Sequence, residues 1–428
     1  MIVRAGRRLC LLMLAAVLGG GGCAGRHMAQ PLGAPSPAQP FHPGRPLAVA
    51  ILTGVPRVEV TCAEPLTIEA AGVPVAHFRA VAIEAGSGSI KVVPKREEAR
   101  SFSDTLDLTP PAGLMFEVNG KAYRGALQIV GGAGGSLVAI NAVDLEDYLL
   151  GVVPLEIGSP PAASYAAVAA QAIAARTYAV SHLDRWRVLG FDLYGDERDQ
   201  VYGGASAETP LATRAVRETQ GMVATYGGVL IGAYYSAACG GTSAAVEETW
   251  AFPPAPYLEP HPDRDQGPDF CRQSRHYRWQ EHWTAAELAA TIRHYLASEV
   301  QGAEPTGDLQ DLAIVGRNSS GRVRELTIRM GGQEYHVYGD RIRWVLRRAE
   351  GRILRSTSFD LTLERTGGQL TGVLAEGRGN GHGVGMCQAG ALEMAAEGRD
   401  YAAILGHYYR GCQLERLRDA RLSATSHP

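Results

Sequence analysis

Two stretches far apart in this 428-residue chain carry side chains that could do chemistry. In the first, Asp144 to His182, Glu156 follows Pro154 among Val152, Val153, Leu155 and Ile157. Apolar surroundings disfavour the charged form of a carboxyl, so such a group stays protonated closer to neutral pH and can act as a general acid. The plainer role is a carboxylate beside a helix N-terminus, where it favours the macrodipole. In the second, Gly379 to Gly411, His382 stands among Gly379, Gly381, Gly383 and Gly385. Alternating glycines let backbone approach closely and leave the imidazole between them open to a ligand. The competing reading is a turn histidine satisfied by backbone.

Elements must hold these groups. Val168, Ala172, Ala175, Ala179 and Leu183 recur at steps of three and four, which predicts an Ala-rich helix with one apolar stripe, started by Ser159-Pro160 or Ser164. Gln171 and Arg176 flank that stripe, within reach of a neighbouring cleft, and Glu156 is expected in a turn beside the helix start. Asp144, Glu146 and Asp147 read as capping carboxylates. A helix through Met394 follows the glycines, and Tyr401 to Tyr409 places Ile404, Leu405 and Tyr408 on one side.

Between Pro46 and Val143, short alternating runs (LAVAIL, RVEVT, LTIEA, SIKVVP, ALQIVGG) are separated by Gly, Pro and polar clusters, the pattern of strands. Beyond Asp144, helical patterns mix with strand patterns such as LTIRM, EYHVYG and Ser356 to Leu363. The expected fold class is therefore α+β: a β-rich N-terminal lobe over 46–143 and a mixed helix/strand core over 144–415. With 46 % hydrophobic residues the chain can fill a large core or two moderate ones. Its 41 basic and 44 acidic side chains form no dense basic patch interleaved with aromatics, which argues against nucleic-acid binding.

Arg4, Arg7 and Arg8, the apolar run Leu9 to Leu18, and small residues up to Cys23 read as an export signal over 1–22. The run is too short for a comfortable membrane span. A small-residue stretch ending in cysteine predicts lipidation of Cys23, although Gly20 stands where a lipobox usually has Leu; plain cleavage is the alternative. Residues 23–45 then form a Pro/Gly-rich tether, and 416–428 a tail. Five cysteines remain for an oxidising compartment: Cys62, Cys239, Cys271, Cys387 and Cys412. An odd number leaves at least one unpaired or bound.

YLLGVVPLE, AAQAIAARTYAV, QVYGG, the CGGTS segment ending in Trp250, PYL, and GHGVGMCQAGALEMA followed by ILGHYYRG resemble, in that order, the sporulation stage II protein D / LytB (SpoIID/LytB) family. The resemblance runs from about Leu47 to Cys412, with its specific motifs after Asp144. It implies a catalytic core of the SpoIID type and a peptidoglycan lytic transglycosylase, acting on glycan strands already stripped of stem peptides. In that reaction the muramic acid 6-hydroxyl attacks its own anomeric carbon, so one carboxyl, Glu156, suffices as acid and then base. Gln171, Arg176, Tyr202, His382 and Gln388 become candidate substrate contacts; the competing readings are a buried strut joining the helix to loop carbonyls for Arg176 and core packing with a satisfied hydroxyl for Tyr202. The LytB name comes from proteins described as modifiers of an amidase, so a non-catalytic glycan-binding adaptor that stimulates a cell-wall amidase is the competing function. No cofactor is required. Some members hold zinc near the CGG loop with cysteine and histidine ligands. Zinc on Cys239 and Cys271 with Cys387 or His276 is one expectation here; a Cys239–Cys271 disulfide is the other.

Overall fold

The computed structural model describes residues 45–417 apart from 96 and 104. The export signal, Cys23, nearly all of the tether and the tail beyond 417 lie outside those residues. Among the described residues no helix is long and apolar enough to cross a membrane.

The N-terminal lobe is built on an 11-stranded sheet. Its longest strands, Arg57–Ala70 and Val73–Ala85, form a hairpin whose turn residues Ala71 and Gly72 both take positive φ (50° and 73°). That backbone has the twist two-residue hairpins favour. Alternation then does what the sequence pattern implies: Val58, Val60, Leu66 and Ile68 point into the core while their neighbours face water. Strand Leu47–Val55 pairs antiparallel with Ser136–Val143 on one side and parallel with the short Leu193–Tyr194 on the other. The β lobe is thus stitched to the helical region that follows.

Among the described residues eight α-helices follow: α1 Leu145–Ile157, α2 Tyr165–Ser181, α3 Pro210–Glu218, α4 Val246–Thr249, α5 Ala285–Glu299, α6 Arg341–Val345, α7 Gln388–Ala396 and α8 Tyr401–Tyr408. The expected α+β class holds. The alanine helix, α2, starts after Ser164, but it is buried from Ala167 to Ser181 on every side rather than along one stripe. Its small alanines let α1, α3, α7 and α8 close around it.

The core expected as one unit over 144–415 does not share a single hydrophobic cluster. Residues 278–378 form their own, with Trp283, Leu288, Ile292, Leu326, Ile328 and Val373 at its centre. Two three-stranded antiparallel sheets and helices α5 and α6 enclose it. This inserted module leaves and rejoins the main body side by side: Arg278 pairs with Arg378, and Gly379 N–H donates to the Tyr277 carbonyl at 3.3 Å. Just outside it, Tyr235–Ser236 and Met386–Cys387 form a short parallel ladder. That ladder brings the tyrosine doublet beside Gln388 at the start of α7.

Candidate active site and thiol cluster

Glu156 sits in the last turn of α1, not in the turn expected for it. Asp144 caps this helix, its carboxylate accepting from Glu146 N–H at 2.8 Å, and Gly158 (φ 77°) ends it. Pro154 lies inside, and Gly151 presents its carbonyl to the Gly203 N–H at 3.1 Å. The approach requires glycine at 151, because a Cβ there would lie 2.6 Å from the Gly204 carbonyl oxygen. The docked QVYGG turn delivers the Val201 N–H to Glu156 Oε1 at 2.9 Å.

The Gln388 side chain hydrogen-bonds the same carboxyl. Gln388 Nε2 also donates to Gln171 Oε1 at 3.2 Å, while Gln171 Nε2 has no partner among the described residues. Glu156 keeps part of its surface open, yet burial pushes its pKa up to about 7. The Val201 and Gln388 hydrogen bonds pull the other way, and the charge of exposed Glu197 adds to the rise. Three expected residues, Glu156, Gln171 and Gln388, are therefore assembled from the end of α1, the middle of α2 and the start of α7.

Two residues the sequence reading passed over belong to this site. Gln200 accepts from Tyr148 Oη at 3.2 Å and donates to Tyr235 Oη at 2.7 Å. Both phenols are held well above their ordinary pKa, first by burial and in part by the charge of Glu156. Gln200 opens QVYGG and Tyr235 closes the YY doublet before the CGG loop, so motif adjacency was the available signal.

His382 occupies the loop the glycines predicted. A Cβ on Gly385 would lie 2.0 Å from the Tyr234 carbonyl oxygen, so that position admits only glycine without a shift of backbone. His382 Nδ1 accepts from Val384 N–H at 3.0 Å, and burial lowers its pKa to about 4. The ring is neutral with its hydrogen on Nε2, a tautomer assigned from that hydrogen bond. It lies 4.8 Å from the Trp250 ring, which in turn meets Tyr234 at 5.0 Å and Phe252 at 5.9 Å. His382, Trp250, Tyr234 and Phe252 are all only partly buried, the makings of an aromatic platform for sugar rings.

Arg176 and Tyr202, expected to touch substrate, are placed elsewhere. Arg176 is fully buried. It grips Glu146 with a two-pronged pair at 2.8 and 2.7 Å and donates to the Met222 and Val216 carbonyls. Tyr202 is 6 % exposed, packs on Tyr148 and Tyr123, and donates its hydroxyl to Asn141 Oδ1 at 2.9 Å. The first is a strut between α1, α2 and α3, and the second a core residue. Tyr202→Phe is expected to lower stability by about 1 kcal/mol, the worth of one hydrogen bond, and to leave any activity unchanged; thermal melting beside an activity assay checks both.

Cys239, Cys271 and Cys387 converge as anticipated, but the fourth member is Asp263, not His276. The four donor atoms lie within 4.8 Å of one another and all four residues are buried. His276 instead contacts Arg275 and Arg355. No disulfide joins Cys239 to Cys271: their sulfurs are 3.7 Å apart, and Cys387 Sγ accepts from Cys239 N–H. Contacts with the other two thiols pull the Cys271 pKa down, while burial raises Cys239 and Cys387. Burial and the nearby Cys271 push Asp263 up to about 8. Beside the cluster, buried Arg322 donates to the Cys239 carbonyl at 2.6 Å and leaves Nε and Nη1 without a partner among the described residues.

Residues 133–226 match the SpoIID family, described as "Stage II sporulation protein". An uncharacterized protein of Brachyspira hyodysenteriae is 30 % identical over 300 residues, 70 % of this chain and 74 % of its own length. The stage II sporulation protein D of Bacillus subtilis is 27 % identical over 77 % of this chain and 87 % of its own. The chain belongs to the SpoIID family. The amidase enhancer of Bacillus subtilis is 27 % identical over 62 % of this chain, which spans only 40 % of that relative. The SpoIID match contains Glu156, Gln171, Arg176 and Tyr202. A second match, to a domain of unknown function (DUF8618) over 269–385, takes in the inserted module, Cys271 and His382.

Proposed function

We propose that this SpoIID protein cleaves peptidoglycan between N-acetylmuramic acid and N-acetylglucosamine without water, leaving 1,6-anhydromuramic ends. The observation that carries the reading is a half-buried carboxyl, Glu156, pushed up to about 7 and held by Val201 N–H and Gln388. At neutral pH such a group supplies a proton as readily as it takes one. Glu156 gives its proton to the leaving glycosidic oxygen as the bond from the muramic anomeric carbon breaks. The resulting carboxylate then takes the proton of the muramic 6-hydroxyl as that oxygen bonds to the same carbon. Protons balance with one carboxyl, and Trp250 and Tyr234 offer ring faces to the sugars, with the His382 ring packed beside them. A cell-envelope location follows from this substrate, with lipid on Cys23 as the anchor.

Mass spectrometry of peptide-stripped glycan strands tests the reaction, with anhydro ends expected. Reducing ends would mean hydrolysis and would turn attention to Glu197, the carboxylate whose charge reaches Glu156. The amidase enhancer relative favours a second reading, a glycan-binding adaptor for a cell-wall amidase. Strands that bind but stay whole would support it.

The thiol cluster fits a zinc ion held by Cys239, Cys271, Cys387 and Asp263. Three sulfurs and one carboxylate suit zinc, four protein ligands leave no open position, and the neighbouring Arg322 offsets surplus negative charge. The ion would supply a structural crosslink rather than catalysis. Trace-metal analysis is expected to find one zinc per chain in the parent and none in Cys387→Ala, with a lower melting temperature after chelation; metal-free parent would remove the ion from this account.

A further inference from the structure

The inserted module carries a feature that the proposed reaction leaves unused. Arg278 and Arg378 lie directly opposite each other at the edge of the module, so both side chains leave the same face of the sheet. Like charges in that register repel, and neither forms a salt bridge among the described residues. Both are exposed, and both line a cleft of about 820 Å³ whose other wall is the CGG turn, Cys239, Gly240 and Thr242. The turn is pressed against Arg378, since a Cβ on Gly240 would sit 2.9 Å from the Arg378 Cβ.

The remaining charges limit what fits. Arg317 in the cleft is already paired with Asp360, and Glu376 accepts from Gln280 at 2.6 Å. Two guanidinium groups without a carboxylate partner, Arg278 lying over the Tyr277 ring at 5.6 Å, beside two carboxylates suit a singly charged, planar anion rather than a dense polyanion. Hydroxyls of Thr242, Ser320 and Ser358 and backbone at Gly240 and Gly321 line the rest, which is the chemistry of sugar hydroxyls and amides. Tyr235 of the candidate active site lies four residues before Cys239, at most about 14 Å along the chain.

We propose that this cleft binds a carboxylate of the muramic acid unit through Arg278 and Arg378. The proposal rests on the glycan reading above and extends it to a determinant of substrate choice. Two carboxylates have the required chemistry: the lactyl group freed when the stem peptide is gone, and the C-terminus of a peptide still attached.

Titration calorimetry with the full chain carrying Glu156→Gln, which binds without turnover, tests it. Four probes are needed: a chitin oligosaccharide with no carboxylate, a stripped muramic-containing oligosaccharide, the same sugar with its lactyl groups amidated, and the peptide-bearing form. Adding Arg278→Gln and Arg378→Gln is expected to weaken the carboxylate-bearing ligand about tenfold to a hundredfold and leave the chitin oligosaccharide unchanged. Tight binding of the stripped strand alone identifies the lactyl carboxylate, and of the peptide-bearing strand alone the peptide terminus. Equal affinity for all four probes, or an equal loss across all four in the arginine variant, overturns the site while the glycan reading stands. Binding of none overturns both. An unchanged melting temperature in the arginine variant excludes misfolding as the cause.

Discussion

Glu156→Gln is expected to lower glycan cleavage by about a thousandfold, within the range a positioned general acid contributes, while strand binding persists. Gln can still accept from Val201 N–H but has no proton to give. In the parent, cleavage should hold level at acid pH and fall about tenfold per pH unit above about 7, as Glu156 loses its proton. Stability should move with the same group. Its pKa in the folded chain lies above its ordinary value, so the fold disfavours the ionised form, and its favourable contribution fades as pH rises toward and through 7. The Gln variant, free of that loss, should match the parent near pH 4 and exceed it at pH 8 by about 1–2 kcal/mol, a figure reduced for the open face of the side chain. Denaturant unfolding at the two pH values beside end-group analysis checks both. A variant that still makes anhydro ends at the parent's rate would remove Glu156 from the chemistry.

Arg176→Ala should be the most damaging substitution to stability, at about 3–5 kcal/mol, because it strands a carboxylate built to be paired. Glu146 would keep only the Gly221 N–H at 3.1 Å, and the Met222 and Val216 carbonyls would lose their donor. Arg176→Lys should recover little of this, since an ammonium cannot reproduce the two-pronged grip. A double-mutant cycle with Glu146→Gln, read by urea unfolding, should give a coupling of about 2 kcal/mol or more. A residue that merely bound sugar would change ligand affinity and leave the unfolding midpoint in place, so the two roles are told apart by one pair of measurements.

Why the sequence could not decide between the two roles of Arg176 is physical. One long polar side chain in an alanine-rich helix can face a cleft or a partner, and the partner, Glu146, lies 30 residues away on another helix. Tyr202 posed the same ambiguity, resolved by Asn141 on a strand 61 residues earlier. Local signals fared better. The Asp144 cap, the glycine loop around His382 and the alternation of the N-terminal strands all depend on neighbours in the chain, and each was readable. The fourth member of the thiol cluster was not, because Asp263 has no characteristic spacing to any of the three cysteines. The inserted module was read as more of the same core, since its strands and helices follow the periods of those around it; only the closing contact of Tyr277 with Gly379 marks it off.

That contact makes the module a cassette. Its two ends emerge one hydrogen bond apart, so the loop it spans costs the main body no more closure entropy than a tight turn would once Tyr277 and Gly379 are in register. Parts of 278–378 that do not meet the main body, as Arg322 does at the Cys239 carbonyl and Arg355 at Gly381 N–H, can change length or composition while Glu156, Gln171 and Gln388 keep their places. The module forms one wall of the arginine-lined cleft, so a change of composition in that wall can alter what the cleft accepts without moving the groups around Glu156.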